Sequence, residues 1–161
     1  MRTSQLLKKI DSLGIDLPKI SGPFGSYLPA KRSGELIFLA GQLPMKDGQL
    51  IATGKVPSVC SIDQAREGAR HAVINALAAA ITLVKDRPGI AGVPQVRVFV
   101  NSDPDFGEQS KISNAASELL EQVFGEAGKH ARTSIGVTAL PLGAAVEVEV
   151  VFETEPEEKT D

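Results

Sequence analysis

The chain has 161 residues and a mass of 17.0 kDa, and its 42% hydrophobic and 23% charged residues are typical of one folded globular domain. No apolar run reaches the ~18–20 residues that span a bilayer, and one cysteine excludes an internal disulfide, so we expect a cytoplasmic protein without a membrane segment. The net charge of −3 and the lack of tryptophan argue against nucleic acid as a partner, since phosphate binding needs a broad basic face.

The first half of the chain predicts a helix followed by short strands. An apolar stripe that stops at Gly14 predicts a helix over 4–13. A strand is expected around 27–31, a hairpin turn at 32–35, and a second strand at 36–40. The second strand is apolar throughout, which indicates burial on both faces.

The second half begins with the strongest helix signal in the chain. Ser61 and Gln64 match a capping box, and small apolar residues then recur at helical spacing up to residue 84. The many alanines on this stripe predict a helix that lies close to a sheet. The segments that follow are predicted as a strand, a helix and two strands: 96–100, 111–126, 133–138 and 144–153.

This order of elements predicts an α+β sandwich, with two main helices on one face of a mixed sheet. We expect a single domain over residues 1–161, including an acidic tail at 153–161. Strict alternation in the last strand places Glu147 and Glu149 on one face and three valines on the other. The carboxylates are then either solvated or part of a pocket against another subunit.

Arg132 and Glu147 are the candidates for chemistry that the residues themselves suggest. The turn between their strands favours an antiparallel pair, in which a guanidinium and a carboxylate share one cleft or form a plain cross-strand ion pair. Spacing alone favours the ion pair. His71 is interpreted as a helix-surface or hydrogen-bonded histidine, His130 as a helix-end or solvated cation, and Cys60 as a packing or surface thiol. These three residues are far apart in sequence and form no metal signature.

Three stretches of the chain resemble the RidA/YjgF family, long labelled L-PSP endoribonucleases. They are Gly22-Pro23-Phe24, the run from Leu39 to Pro44, and Ala131-Arg132-Thr133-Ser134 continuing through Leu140-Pro141 to Val146-Glu147-Val148-Glu149. The N-terminal helix and an insert before Asn114 make the chain similar to the longer, YjgF-like branch of that family.

The resemblance implies a chorismate-mutase-like fold assembled as a homotrimer, with a central barrel of sheets and clefts between subunits. It also implies a cofactor-free enamine/imine deaminase, which hydrolyses reactive intermediates such as 2-aminoacrylate to a 2-oxo acid and ammonia. By position, Arg132 would bind the carboxylate of a small metabolite and Glu147 would hold the attacking water. Backbone groups of Gly41 and Ser134 would contact the substrate, and Asn114 and Phe24 would shape the cleft.

Three departures from the family pattern leave a second function open. Phe24 replaces a tyrosine, for which Tyr27 is a possible substitute, Ser134 replaces a cysteine, and Gly136 replaces a glutamate. The alternative is a non-enzymatic protein that binds a small carboxylate-bearing metabolite in the same trimeric cleft. A ribonuclease or translation-inhibitor role is the weakest alternative, because the body of the chain is nearly neutral. The sequence leaves open the natural substrate, the pathway and the order of the acidic tail.

Overall fold

The computed structural model describes residues 1–20, 26–84 and 89–156. The predicted N-terminal helix is α1, and the two main helices are α2 and α3. The elements in chain order are α1 (Thr3–Ser12), β1 (Ala30–Ser33), β2 (Leu36–Leu39), β3 (Met45–Lys46), β4 (Gln49–Leu50), α2 (Ile62–Thr82), β5 (Ile90–Asn101), α3 (Gln109–Phe124), β6 (Ala131–Val137) and β7 (Val146–Thr154). Within these ranges no helix is long and apolar enough to cross a membrane.

Five strands form a mixed sheet in the order β1-β2-β7-β5-β6, and β3 pairs with β4 in a separate hairpin. All neighbours in the large sheet are antiparallel except β5 and β6, which run parallel. Helix α2 packs against β7, and α3 packs against β5 and β6. The predicted α+β sandwich, with both main helices on one face, is confirmed.

Helix α2 begins where the sequence predicts. The backbone amide of Gln64 donates to Ser61 Oγ at 3.1 Å, and the Ser61 amide donates to Gln64 Oε1 at 3.0 Å. The alanines of this helix are buried, as expected for a helix lying close on a sheet. At Gly68 even a Cβ atom would lie 2.8 Å from Ala52 Cβ and 3.1 Å from Val146 Cγ1, so the approach requires glycine.

The predicted antiparallel pairing of the last two strands is wrong. Strand β5 lies between β6 and β7 and pairs with both, in parallel with β6 and antiparallel with β7. The turn at 140–143 therefore reverses the chain without joining neighbours in the sheet. Strand β5 is also longer than predicted, since it starts at Ile90 rather than at Val96.

The sheet has one face against the helices and one face that α2 and α3 leave uncovered, which we call the open face. Valines of β5 and β7 occupy the helix side and are buried, as the alternation in β7 predicts. The prediction that residues 36–40 are buried on both faces is wrong, because Phe38 is 46% exposed. The open face carries Phe38, Phe99, Ile135, Glu147 and Glu149.

Candidate functional site

Arg132 lies on β6, the edge strand of the sheet, with its side chain on the helix side. It pairs in register with buried Val96, and its Nη1 donates to Asn114 Oδ1 at 2.9 Å and to Ser117 Oγ at 3.1 Å. Both acceptors belong to α3 and are neutral. Among the described residues no carboxylate lies within ion-pair distance of this exposed guanidinium, so its charge is available to an anion.

Beside Arg132 is a cavity of about 310 Å³ in which His130 is the central polar group. His130 Nε2 lies 2.9 Å from Ser117 Oγ, and Nδ1 lies 2.7 Å from the carbonyl oxygen of Gly128. His130 thus lies at a helix end, as predicted, with its ring on the carbonyl of the last residue of the 3₁₀ helix Gly125–Gly128, but it is partly buried rather than solvated. Burial, with a smaller contribution from the Arg132 charge, lowers the pKa of His130. The cavity is lined by Ser117, Glu121, Gly128, Lys129, His130 and Arg132.

Glu147 lies on the open face of β7, against the backbone of Gly41. The two segments are joined by a bridge in which the Gln42 amide donates to the Val148 carbonyl at 2.8 Å and the Val148 amide donates back at 3.0 Å. A Cβ on Gly41 would lie 1.7 Å from Glu147 Oε1, so a glycine is required for the carboxylate to occupy this position. Burial, and secondarily the neighbouring charge of Glu149, raises the pKa of Glu147. A raised pKa makes this carboxylate a stronger base.

A single chain does not bring Arg132 and Glu147 together. Arg132 is in register with Val96 and Glu147 with Phe99, three residues further along β5, so their side chains point to opposite faces of the sheet. Three residues along a strand and two strand spacings across it put their Cα atoms about 14 Å apart. The cross-strand ion pair is thus excluded, as is a cleft that both side chains share within one chain.

The remaining predicted site residues are distributed over both edges of the sheet. Ser134 follows Arg132 on the helix side of β6, and its buried Oγ has no partner among the described residues. Tyr27 is 57% exposed and precedes β1, at the edge opposite β6. Phe24 lies outside the described residues.

Gly136, where the resemblance implies a glutamate, has little room for a side chain. A Cβ at this position would lie 2.8 Å from Gln109 Nε2 and 2.9 Å from Ser102 Oγ. These two groups are hydrogen-bonded to each other at 3.3 Å and occupy the space that a longer side chain would need. The space beside Gly136 is therefore filled by neutral polar groups.

Two other groups singled out in the sequence are part of the core. Cys60 is buried, which agrees with a packing thiol, and burial raises its pKa and makes it a poor nucleophile. His71 is also buried, so the surface interpretation is wrong, whereas a hydrogen bond between its ring and the Met45 backbone agrees with the hydrogen-bonded one. Its Nε2 has no partner in the described part of the chain. The described residues contain no group of three side chains suited to a metal ion.

Sequence reasoning missed Ser117 and His130 as members of this site. They are 13 residues apart, and neither belongs to a recognisable motif. The turn at Gly125–Gly128 between α3 and β6 brings them together. Both lie close in sequence to predicted site residues, His130 to Arg132 and Ser117 to Asn114, and this proximity is the signal that could have found them.

The architecture and site define an α+β sandwich with an unpaired arginine at its edge strand and a shielded carboxylate on its open face. A family model described as Endoribonuclease L-PSP matches residues 19–154, and the chain therefore belongs to this family, the RidA/YjgF family. The match begins after α1, so that helix lies outside the family model.

Similar proteins cover nearly the whole chain. The sequence is 35% identical over 152 residues to Protein TCP17 of Trypanosoma cruzi, covering 94% of this chain and 95% of that one. It is 26% identical over 139 residues to the 2-iminobutanoate/2-iminopropanoate deaminase of Dermatophagoides farinae, with 85% and 92% covered. A crystal structure of a protein with unknown function from Agrobacterium tumefaciens superposes with a TM-score of 0.86 at 32% identity, covering 95% and 94%.

Proposed function

We propose that the chain is an enamine/imine deaminase that hydrolyses small reactive 2-imino acids, such as the imine form of 2-aminoacrylate, to 2-oxo acids and ammonia. The observation that carries this proposal is the Arg132 guanidinium, which is held by Asn114 and Ser117 and has no acidic partner among the described residues. A guanidinium in this state binds a carboxylate through two parallel hydrogen bonds. The likeness to a 2-iminobutanoate/2-iminopropanoate deaminase supports the same substrate class.

The proposed active site is completed by a second copy of the chain, in a homotrimer. Arg132 and Glu147 lie on opposite faces of one sheet, so Glu147 must come from a neighbouring copy to meet a substrate held by Arg132. The open face supports this assembly, because it exposes Phe38 (46%) and Ile135 (43%) on the same side of the sheet as Glu147. Exposed apolar side chains that share a sheet face with a half-buried carboxylate are typical of a surface covered by a partner.

The reaction needs little more than placement, because an imine carbon is already electrophilic. Arg132 binds the substrate carboxylate and fixes the imine carbon against the neighbouring Glu147. Glu147 accepts a proton from water as the water oxygen bonds to that carbon, and it returns the proton to the imine nitrogen, which gives a neutral carbinolamine. Glu147 then takes the hydroxyl proton of the carbinolamine and passes it to the amino nitrogen as the C–N bond breaks, so that ammonia leaves and the 2-oxo group forms.

The test is ammonia release from freshly generated 2-aminoacrylate, compared among the wild type, Arg132→Ala and Arg66→Ala. Arg66 is a matched control, since it is an arginine paired with Glu118 on the helix surface. We expect Arg132→Ala to lose at least about a hundredfold in rate, as for removal of a principal charged contact, and Arg66→Ala to match the wild type. Equal rates in all three proteins would contradict the proposal.

A second candidate function is binding of a small carboxylate without turnover. It is favoured by Gly136, where Gln109 and Ser102 stand in place of the family's glutamate. Calorimetry with pyruvate, a stable 2-oxo acid, separates the two. Pyruvate binding that depends on Arg132, without acceleration of 2-aminoacrylate hydrolysis, would establish the binding protein and exclude the deaminase.

A further inference from the structure

His130 and Ser117 form a hydrogen-bonded pair next to Arg132 that the proposed reaction does not use. The hydrogen bonds run from the Gly128 carbonyl through His130 and Ser117 to Arg132 Nη1, with heavy-atom distances of 2.7, 2.9 and 3.1 Å. The same Nη1 also donates a hydrogen bond to Asn114 Oδ1, at 2.9 Å. Every link is within ordinary hydrogen-bond distance.

The chemistry of the partners fixes the direction of each bond. A carbonyl oxygen can only accept, so His130 Nδ1 must carry a hydrogen, and in the neutral ring Nε2 is then an acceptor. Ser117 must therefore donate its hydroxyl hydrogen to His130 Nε2. This leaves the lone pairs of Ser117 Oγ free to accept from the guanidinium, which can only donate.

The same reasoning fixes which edge of Arg132 is free. Nη1 carries two hydrogens, and the two acceptors on α3, Asn114 Oδ1 and Ser117 Oγ, use both of them. Nε and Nη2 have no acceptor among the described residues. These two groups form one edge of the fork, which matches the two oxygens of a carboxylate.

We propose that Ser117 and His130 are positioning residues that hold Arg132 so that its Nε–Nη2 edge receives the substrate carboxylate, and that carboxylate binding is thereby linked to protonation of His130. This inference rests on the proposed function, because it assigns the anion to Arg132. It adds two residues and a direction of approach to that site.

The linkage follows from the charges that face His130. Arg132 on β6 and Lys129 just before it are cations, and Glu121 on α3 is an anion that lines the same cavity. Lys129 is paired with Glu126 at 2.6 Å, so the uncompensated neighbour is Arg132. A carboxylate bound to Arg132 cancels that charge and raises the pKa of His130. By reciprocity, Arg132 binds the anion more tightly when His130 is protonated. The expected gain in affinity is about three- to tenfold for charges that lie close together near a protein surface.

Nitrogen-15 NMR of the imidazole rings tests the arrangement directly, because the chain contains two histidines and His71 serves as an internal control. We expect neutral His130 to be the tautomer with hydrogen on Nδ1 and a bare Nε2. Pyruvate is the probe for the linkage, and it should raise the pKa of His130 while leaving that of His71 unchanged. A bare Nδ1 on His130 would overturn the positioning role whether or not pyruvate binds. Pyruvate binding that leaves the His130 pKa unchanged would overturn the linkage.

Variants separate positioning from a structural role. Ser117→Ala should weaken pyruvate binding and raise the KM for 2-aminoacrylate by about tenfold with a small change in kcat, because the guanidinium loses one of its two anchors. Ser117→Thr restores the hydroxyl and should recover most of the affinity. Alanine is a better helix former than serine and threonine a comparable one, so α3 is expected to fold in both variants.

The pH profile provides the last control. Pyruvate affinity of the wild type should rise as pH falls through the His130 pKa, and His130→Gln should abolish that rise. His71→Gln should keep it. An unchanged profile in His130→Gln would contradict the linkage, whereas absence of pyruvate binding in the wild type, with the Nδ1–H tautomer present, would contradict the proposed carboxylate site instead.

Discussion

The two faces of the central sheet are built from different kinds of residue. On the helix side the valines of β5 and β7 and the alanines of α2 are buried and make a close-packed core within one chain. On the open face Phe38 and Ile135 are partly exposed, on the same side of the sheet as Glu147. The helix side is buried within a single chain, whereas the open face keeps apolar side chains exposed. The difference separates a region that specifies the fold from the region to which the proposed function assigns the assembly and Glu147.

The largest effect is expected on the helix side. Phe152 is fully buried and packs against Phe124 with ring centroids 6.0 Å apart. Phe152→Ala should lower the free energy of unfolding by about 3–5 kcal/mol, through lost burial and the cavity left behind. Urea unfolding at fixed protein concentration measures this loss. The control is Leu7→Ala at an exposed position of α1, and equal losses in the two variants would contradict the assignment of Phe152 to the core.

A charge on the open face should act on assembly rather than on the fold. Phe38→Asp buries an unpaired carboxylate if a second copy covers this face, which costs several kcal/mol. Light scattering should then show the mass falling from about 51 kDa, three times the 17.0 kDa chain, to that of a single chain. Leu7→Asp, at an apolar position of similar exposure on α1, should remain assembled. A Phe38→Asp variant of unchanged mass would contradict coverage of the open face at this position.

The smallest effect concerns the stability cost of Glu147. Its pKa is raised in the folded chain by burial and by Glu149, so the free energy of unfolding falls as pH rises from the unfolded to the folded pKa. Glu147→Gln removes this dependence and should raise Tm by about 1–2 °C at pH 8, with no gain at pH values below the unfolded pKa. Glu153→Gln, an exposed residue on the same strand, is the control. A Tm gain that persists unchanged in acid would contradict burial of the charged form as the cause.

The sequence predicts those features that are encoded locally. The Ser61–Gln64 capping box predicts the start of α2, and the alternation from Val146 to Val150 predicts which residues of β7 face the helices. The order of strands depends on contacts distant in sequence, and the turn at 140–143 therefore gave a wrong pairing. Strand β5 was predicted too short, since Gly92 and Pro94 interrupt its apolar pattern. These residues lie where its register with β7 shifts.

The candidate site, like the fold, is predicted from the sequence only where its residues belong to a local motif. The family motif points to Arg132, Glu147, Gly41 and Asn114, and the structure places them in two groups on opposite faces. Ser117 and His130 escaped prediction because their role depends on the direction of hydrogen bonds across the turn between α3 and β6. Strand β2 is apolar throughout, yet it is buried on one face only, and the proposed assembly would cover the other.

Subunit complementation tests most directly whether Arg132 and Glu147 act together across two chains. Arg132→Ala and Glu147→Gln chains, each inactive alone, are mixed in equal amounts, unfolded, refolded together and assayed for 2-aminoacrylate hydrolysis. With random assembly, about one cleft in four pairs an intact Arg132 with an intact Glu147, so we expect about a quarter of the activity of wild type refolded in the same way. A mixture without activity, alongside a refolded wild type that recovers its own, would contradict a site shared between copies.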